Sequence, residues 1–394
     1  MFCYRIVTLF AVLVAGMAAN AWAELRLPSL FTEHMVLQRG QSIPVWGWAD
    51  AGAKVRVKLG GKSSNTSAAP DGTWRADLPS MKAGGPHMLT ISSGDKTVKI
   101  GDVLIGEVWT GSGQSNMQWT VGLSRDSQTE IASANYGTMR LFYVPRKTAD
   151  TPQTDVDAKW EVCTSETVPE FSAVLYYFGR TLLRELDVPI GLIHSSWGGT
   201  PAESWASRER LGSTPETRPI LEWWDRHLKE LPQLQADYQA KITAWEEQAK
   251  AAKERGEPEP RRPGGEPFGA DHPWRASSLY NAMIHPLVPY GIQGAIWYQG
   301  ESNAGRAHQY RTLFAAMIED WRAAWGGRDF PFVLVQLANF TKRLDQPADS
   351  DWAELREAQT MATQLPDVGM AVTIDIGEAE DIHPKNKQDV GTRL

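Results

Sequence analysis

VLIGEVWTGSGQSNMQW, residues 103–119, joins an apolar run to a glycine-rich polar turn. Val103, Leu104, Ile105, Val108 and Trp109 predict a buried strand. Gly111-Ser112-Gly113-Gln114-Ser115-Asn116 ends it, and its glycines accept backbone angles that other residues avoid. A helix starting directly after such a turn offers free backbone N–H groups and a positive dipole end, both suited to a developing oxyanion. Ser115 is therefore a candidate nucleophile. Taken alone, the motif describes an ordinary turn just as well. No Gly-Lys-Ser/Thr follows, so it is not a phosphate loop, and it lacks the G-x-S-x-G elbow.

Working outward, strands and helices alternate downstream. Residues 171–186 carry Leu175, Phe178, Leu182 and Leu183 at helical spacing, and residues 189–194 read as a buried strand. Further strands are expected at 294–298, 332–337 and 370–376, and helices at 310–325 and 352–364. This pattern predicts the α/β class, with a mostly parallel sheet in a three-layer α/β/α domain spanning 102–394. Residues 231–255 read as a charged helical excursion with Pro232 in its first turn. The Pro/Gly/Glu-rich residues 256–267 read as an exposed loop, so 231–267 is expected as an insertion with a solvated surface.

Upstream the texture is different. Residues 24–101 contain short runs such as Val45-Trp46-Gly47-Trp48 and Val55-Arg56-Val57-Lys58-Leu59, with no helical period. A small β-sandwich is expected, with Asp71-Gly72 and Ala83-Gly84-Gly85 as hairpin or loop signals. Residues 1–23 have the form of a signal peptide: Arg5, an apolar stretch at 6–17, and Ala21-Trp22-Ala23 before Glu24. The mature chain is expected to be exported, to periplasm or medium. After the leader, no stretch is apolar enough to span a membrane.

The 394 residues carry a net charge of -7 with no basic stripe, which argues against a nucleic-acid partner. Cys3 belongs to the leader, so Cys163 remains as a lone thiol and reads as a packed small residue. No metal site and no cofactor are expected, because H-E-x-x-H, close histidine pairs and cysteine clusters are all missing. The 17 tryptophans suit sugar stacking and core packing alike; Trp119, Trp197 and Trp205 lie near the polar motifs.

Three more polar clusters follow strands. His194-Ser195-Ser196-Trp197-Gly198-Gly199-Thr200 could bring a backbone N–H against a ligand. Gln299-Gly300-Glu301-Ser302-Asn303 offers a side-chain amide to an oxyanion at Gln299 or Asn303, and a carboxylate at Glu301. Glu380-Asp381-Ile382-His383-Pro384 sets a histidine beside two acids, the usual base for a serine hydroxyl. Each cluster has a plain alternative: an ordinary loop, a capped helix start, a solvated histidine.

Together, Gly113-Gln114-Ser115-Asn116-Met117, Ser196-Trp197-Gly198-Gly199-Thr200, Trp297-Tyr298-Gln299-Gly300-Glu301-Ser302 and Asp381-Ile382-His383-Pro384 resemble, in this order, the sialate O-acetylesterases. These belong to the SGNH-hydrolase superfamily, which also includes acetylxylan esterases. The resemblance covers essentially the whole mature chain, including Met35-Val36-Leu37-Gln38. It implies an SGNH-hydrolase-like domain with Ser115 as nucleophile and His383 as base. The implied oxyanion hole is the Ser115 N–H, an N–H of Gly198 or Gly199, and the Gln299 side chain, with Asn303 as the other donor. For the carboxylate behind His383 it favours Asp381 and leaves Glu380 and Glu301 open. It also implies a continuation beyond Leu394, so a C-terminal truncation is expected. The implied function is an exported serine esterase that removes O-acetyl groups from sugars, O-acetylated sialic acid first, through an acetyl-Ser115 intermediate. A xylan or other plant-glycan acetylesterase is the alternative. A non-catalytic glycan-binding protein is the alternative of another class, and the presence of both Ser115 and His383 argues against it.

Overall fold

The computed structural model describes residues 25–394; the expected leader lies outside the described residues. The N-terminal strands are β1 (Val36–Gln38), β2 (Ile43–Trp48), β3 (Lys54–Leu59), β4 (Lys62–Ser67), β5 (Thr73–Leu78), β6 (Gly84–Ser93) and β7 (Lys96–Gly113). β3 and β5 alternate strictly between exposed and buried residues, which sends Val55, Val57 and Leu59, and Trp74, Ala76 and Leu78, into the core. β2 pairs with β5 alone, while β4, β3, β6 and β7 form an antiparallel ladder.

That ladder is not a sheet system of its own. β7 is 18 residues long, and its second half is the middle strand of the large sheet. The boundary expected between residues 101 and 102 therefore falls inside one strand. Of the two hairpin or loop signals, Asp71-Gly72 falls in a turn, and Gly84-Gly85 begins β6. Asp71-Gly72 connects β4 to β5, which lie in different ladders, so it makes a crossover. The hairpin turns are Gly60-Gly61, both with positive φ, and Gly94-Asp95.

The remaining strands are β8 (Asn135–Tyr143), β9 (Trp160–Thr164), β10 (Ile190–Ser196), β11 (Gly294–Tyr298), β12 (Phe332–Val335) and β13 (Val368–Ala371). The order across the sheet is β13-β12-β11-β7-β10-β8-β9, parallel except for β9. β8 and β9 were not anticipated from the sequence. The helices are α1 (Ser115–Gln118), α2 (Ser127–Ser133), α3 (Ala173–Leu186), α4 (Arg208–Gly212), α5 (Arg218–Glu254), α6 (Ala307–Ala324), α7 (Asp351–Ala362) and α8 (Lys387–Arg393).

Helices cover both faces of the sheet. A Cβ at Gly111 would stand 2.8 Å from Leu175, so this face of β7 receives α3. Trp297, in register with the next residue, Ser112, packs against Phe314 of α6. Successive strand residues point to opposite faces, so α3 and α6 flank the sheet. α5 begins earlier than its charge pattern suggested. Pro219 takes the first-turn position, and Pro232 sits inside the helix. Residues 256–267 contain no helix or strand and are mostly exposed.

The chain leaves β7 for β8 and β10 on one side and later returns to β11, β12 and β13 on the other. Such a reversal opens a crevice at the carboxyl ends of the middle strands. Ser115 follows the end of β7, Gly198 the end of β10 and Gln299 the end of β11.

Candidate active site

Ser115 is the first residue of α1, two positions beyond β7. The turn that presents it depends on Gly113, which has φ +136 and whose added Cβ would lie 2.1 Å from the Tyr298 carbonyl oxygen. No side chain fits there. α1 is only four residues long, so little dipole accumulates. What it offers is individual N–H groups of its first turn, Ser115's among them, with no helical acceptor. Its far end is fixed to α3. Ser172 caps α3 by accepting the Leu175 N–H and donates its own hydroxyl to the Met117 carbonyl at 2.6 Å.

His383 comes from the loop before α8. Its Nε2 lies 2.9 Å from Ser115 Oγ, across 268 residues of chain. The Trp119 ring stacks on the imidazole at 5.1 Å and 14°. Asp381 accepts the His383 backbone N–H at 2.8 Å, and the same oxygen stands 3.8 Å from Nδ1. That is ion-pair range and not a hydrogen bond. Burial pushes the His383 pKa below the usual histidine range, the Lys387 charge pushes the same way, and Asp381 opposes both.

A buried junction lies beneath this pair. Asn116 donates to Glu301 Oε1 at 2.6 Å and to the Ile382 carbonyl at 3.0 Å, and its Oδ1 accepts from Lys387 Nζ at 2.5 Å. One asparagine thus ties the serine turn to the histidine loop. Lys387 is wholly buried, with its ammonium 5.4 Å from the Tyr298 ring centroid. Burial pulls its pKa down to about 7, while Glu301, Asp381 and Glu378 pull upward. Burial raises the Glu301 pKa, with the Asn116 bond acting against it.

A family model described as carbohydrate esterase, sialic acid-specific acetylesterase matches residues 263–394. The chain is 34% identical to a sialate O-acetylesterase of Rattus norvegicus over 97% of its own length and 74% of the relative's. It is 32% identical to that of Homo sapiens, over 94% and 69%. This chain belongs to the sialate O-acetylesterase family. A solved structure, a carbohydrate acetylesterase from Xanthomonas citri, matches with TM-score 0.76 and 36% identity, over 94% of this chain and 73% of that one. The chain is accordingly a carboxylic ester hydrolase.

The other residues that the resemblance to the sialate O-acetylesterases implied divide into two groups. Gly198 comes close to the serine: an added Cβ would sit 3.3 Å from Ser115 Cβ. Its N–H donates to Gln118 Oε1 at 2.6 Å, so it already serves a carbonyl-type oxygen. Gly199 is exposed, with φ +75. Gln299 is placed differently from the implied oxyanion donor. It is wholly buried, and its amide nitrogen donates to Asn303 Oδ1 at 2.6 Å and the Thr200 carbonyl at 3.3 Å. Both of its N–H groups are committed. Asn303 is buried too; its Oδ1 also accepts the Ala202 N–H, and its amide donates to Glu203 at 3.0 Å. These two amides brace the 198–203 loop against the 299–303 loop. Of the three carboxylates, Asp381 stands beside the imidazole, Glu301 is bound to Asn116, and Glu380 is exposed.

Trp205 is fully buried, donates to Thr200 and packs edge-on against Trp297, so it cannot stack on a sugar. Trp197 is half-buried, near the Arg146 guanidinium. His194 is buried among Tyr143 and Phe171, and burial holds its pKa at about 3. Cys163 is buried with its thiol pushed up to about 12. Among the described residues, no cluster of three or more His, Cys, Asp or Glu could hold a metal ion, and no helix is long and apolar enough to cross a membrane.

Sequence reasoning missed Asn116 and Lys387 as parts of the site. Asn116 had a signal, since it adjoins Ser115. Lys387 had none, because a lysine near the start of a short helix reads as solvated. Beside Gln118 lies a cavity of about 360 Å³, lined also by Tyr143, Arg146, Glu161, Glu170 and His194. A larger one, about 630 Å³, is lined by Arg39, Glu107 and Gln293. Glu107 precedes the end of β7 by six residues, roughly 20 Å of strand, so that cavity is at the amino end of the sheet.

Proposed function

We propose that this enzyme removes O-acetyl groups from sugars through an acetyl-Ser115 intermediate. The observation that carries the proposal is the 2.9 Å approach of His383 Nε2 to Ser115 Oγ. His383 takes the serine proton as Oγ attacks the acetyl carbonyl. The negative oxygen forms against the N–H groups of Ser115 and Gly198, the latter exchanging Gln118 for it. His383 then gives its proton to the departing sugar hydroxyl. Water, deprotonated by the same imidazole, cleaves the acetyl ester and releases acetate. Asp381 steadies the imidazolium by charge at 3.8 Å.

The sugar we assign is O-acetylated sialic acid. The names of the relatives support it, and so does Arg146 in the cavity beside Gln118, a guanidinium able to hold a carboxylate. Glu161 and Glu170 in the same cavity suit sugar hydroxyls. Acetylated xylan is the second reading, because the Xanthomonas citri neighbour is described only as a carbohydrate acetylesterase. Export rests on the leader at residues 1–23. The test is acetate release from O-acetylated N-acetylneuraminic acid and from acetylated xylan, alongside labelling by a serine-directed phosphonate. Faster release from the sialate, with the label on Ser115, supports the assignment. Release from xylan alone replaces the sugar, and release from neither removes the reaction.

A further inference from the structure

A second cavity of about 360 Å³ lies where α5 and the segment after it fold over the loop that follows β10. Trp223, Phe268, Trp274, Pro201, Glu203 and Arg306 are in its lining. Large aromatics elsewhere in this chain are mostly buried, whereas Trp223 and Trp274 are 43% and 42% exposed. Both nevertheless pack on neighbouring rings. The Trp223 ring is stacked on His227 at 4.9 Å and 8°, and the His227 Nε2 is 2.9 Å from the Phe268 carbonyl oxygen. Phe268 stacks on His272 at 4.2 Å and meets Trp274 at 5.5 Å. Flat aromatic faces, each packed on a neighbouring ring, thus line the cavity.

The polar side of the cavity is built as well. Arg306 donates to Glu203 Oε1 at 2.6 Å, and the other Glu203 oxygen accepts from Asn303. Glu203 is almost wholly buried, and Arg306 is partly exposed. The pair cancels in charge, which removes the attraction for an anion while leaving planar N–H donors at the rim. Aromatic faces beside a few fixed hydrogen-bonding groups, with no net charge, suit a ring that has a C–H face and hydroxyl edges.

The loop after β10 runs from the serine to this cavity. Gly198 stands against Ser115, and Pro201 is three residues on, at most about 11 Å along the chain. We infer that the cavity is a subsite for a neutral sugar unit of the glycan that carries the acetylated sugar. The first turns of α5 and the segment after it then have a role in binding, since they supply Trp223 and Phe268. The enzyme then prefers an acetylated sugar within an oligosaccharide to the free acetylated monosaccharide. The inference rests on the esterase reading of Ser115.

The test compares the full chain with Trp223→Ala and Trp274→Ala. The probes are O-acetylated sialyllactose against O-acetylated N-acetylneuraminic acid, acetylated xylo-oligosaccharide against acetylated xylose, and p-nitrophenyl acetate. In at least one pair, the oligosaccharide should have the lower KM for the unsubstituted enzyme. Each substitution should raise that KM roughly tenfold, the scale of losing one aromatic anchor, with kcat nearly unchanged. Turnover of p-nitrophenyl acetate should be unaffected, which shows that the variants are folded. Equal KM values within both pairs, or an unchanged oligosaccharide KM in both variants, would overturn the subsite. If p-nitrophenyl acetate is not hydrolysed at all, it is the esterase reading that fails. Calorimetric titration with sialyllactose and xylohexaose then decides the cavity: binding lost in the variants supports it, and no binding overturns it.

Discussion

His383 and Lys387 set the behaviour of the site at the scale of single residues. The base must be neutral, and its pKa is depressed, so activity should persist below the ordinary histidine value of about 6.5 and fall as pH drops through the lowered one. The same sign governs stability: the neutral imidazole's contribution is present above the unfolded pKa and is lost as pH falls through the folded one. Removing the nearby positive charge in Lys387→Met should move the acid limb of kcat/KM upward. Asp381→Asn removes the charge that opposes burial and should move it downward. Because Asp381 only approaches Nδ1, its loss should cost roughly ten- to a hundredfold in kcat/KM, less than the ~10⁴ of a hydrogen-bonded triad aspartate. pH–rate profiles of the two variants check both signs; shifts in the same direction would refute this electrostatic picture. In the cavity beside Gln118, Arg146→Ala should raise KM for the acetylated sialate about tenfold and leave that for acetylated xylan unchanged. Steady-state kinetics on the two substrates decides it.

At the scale of elements, the serine turn was legible because its two signals are local. An apolar run predicts a strand, and Gly113 marks a backbone approach that no other residue permits. Gly113→Ala should cost at least about 2 kcal/mol in urea unfolding, from positive-φ strain and the collision with Tyr298. A loss under about 0.5 kcal/mol would show that the turn relaxes freely. The helices α3, α6 and α7 were legible from their periods to within a few residues. α5 was read short because a proline is normally an end signal, and here it is carried within 37 residues of helix. β8 escaped notice because Asn135, Gly137 and Thr138 are exposed and break its apolar pattern. The roles of Lys387, Gln299 and Asn303 were not legible. A buried cation and a brace of two amides arise only when loops distant in sequence meet.

For the whole molecule, β7 makes the N-terminal strands and the esterase portion one folding problem. β1 lies parallel to Leu104, Ile105 and Gly106 of β7, and Tyr290 donates its hydroxyl to the Val36 carbonyl at 2.7 Å. A chain beginning at residue 102 loses six residues of β7 and its β1 neighbour. It should show no cooperative thermal transition and no esterase activity, measured by calorimetry and acetate release. A native-like transition in that chain would mean that the two portions are independent. The alternation of strands and helices in the catalytic portion could be read in advance. The fusion through a single long strand could not, because the sequence texture changes near residue 102 while the hydrogen-bonded ladder does not.

The account depends on Ser115 being the residue that attacks the ester. Hydrolysis of p-nitrophenyl acetate by purified Ser115→Ala, matched to the parent enzyme in thermal stability, tests this most directly. The predicted result is a fall in kcat of roughly 10⁶-fold, the scale of a lost serine nucleophile. A rate within about tenfold of the parent would contradict it.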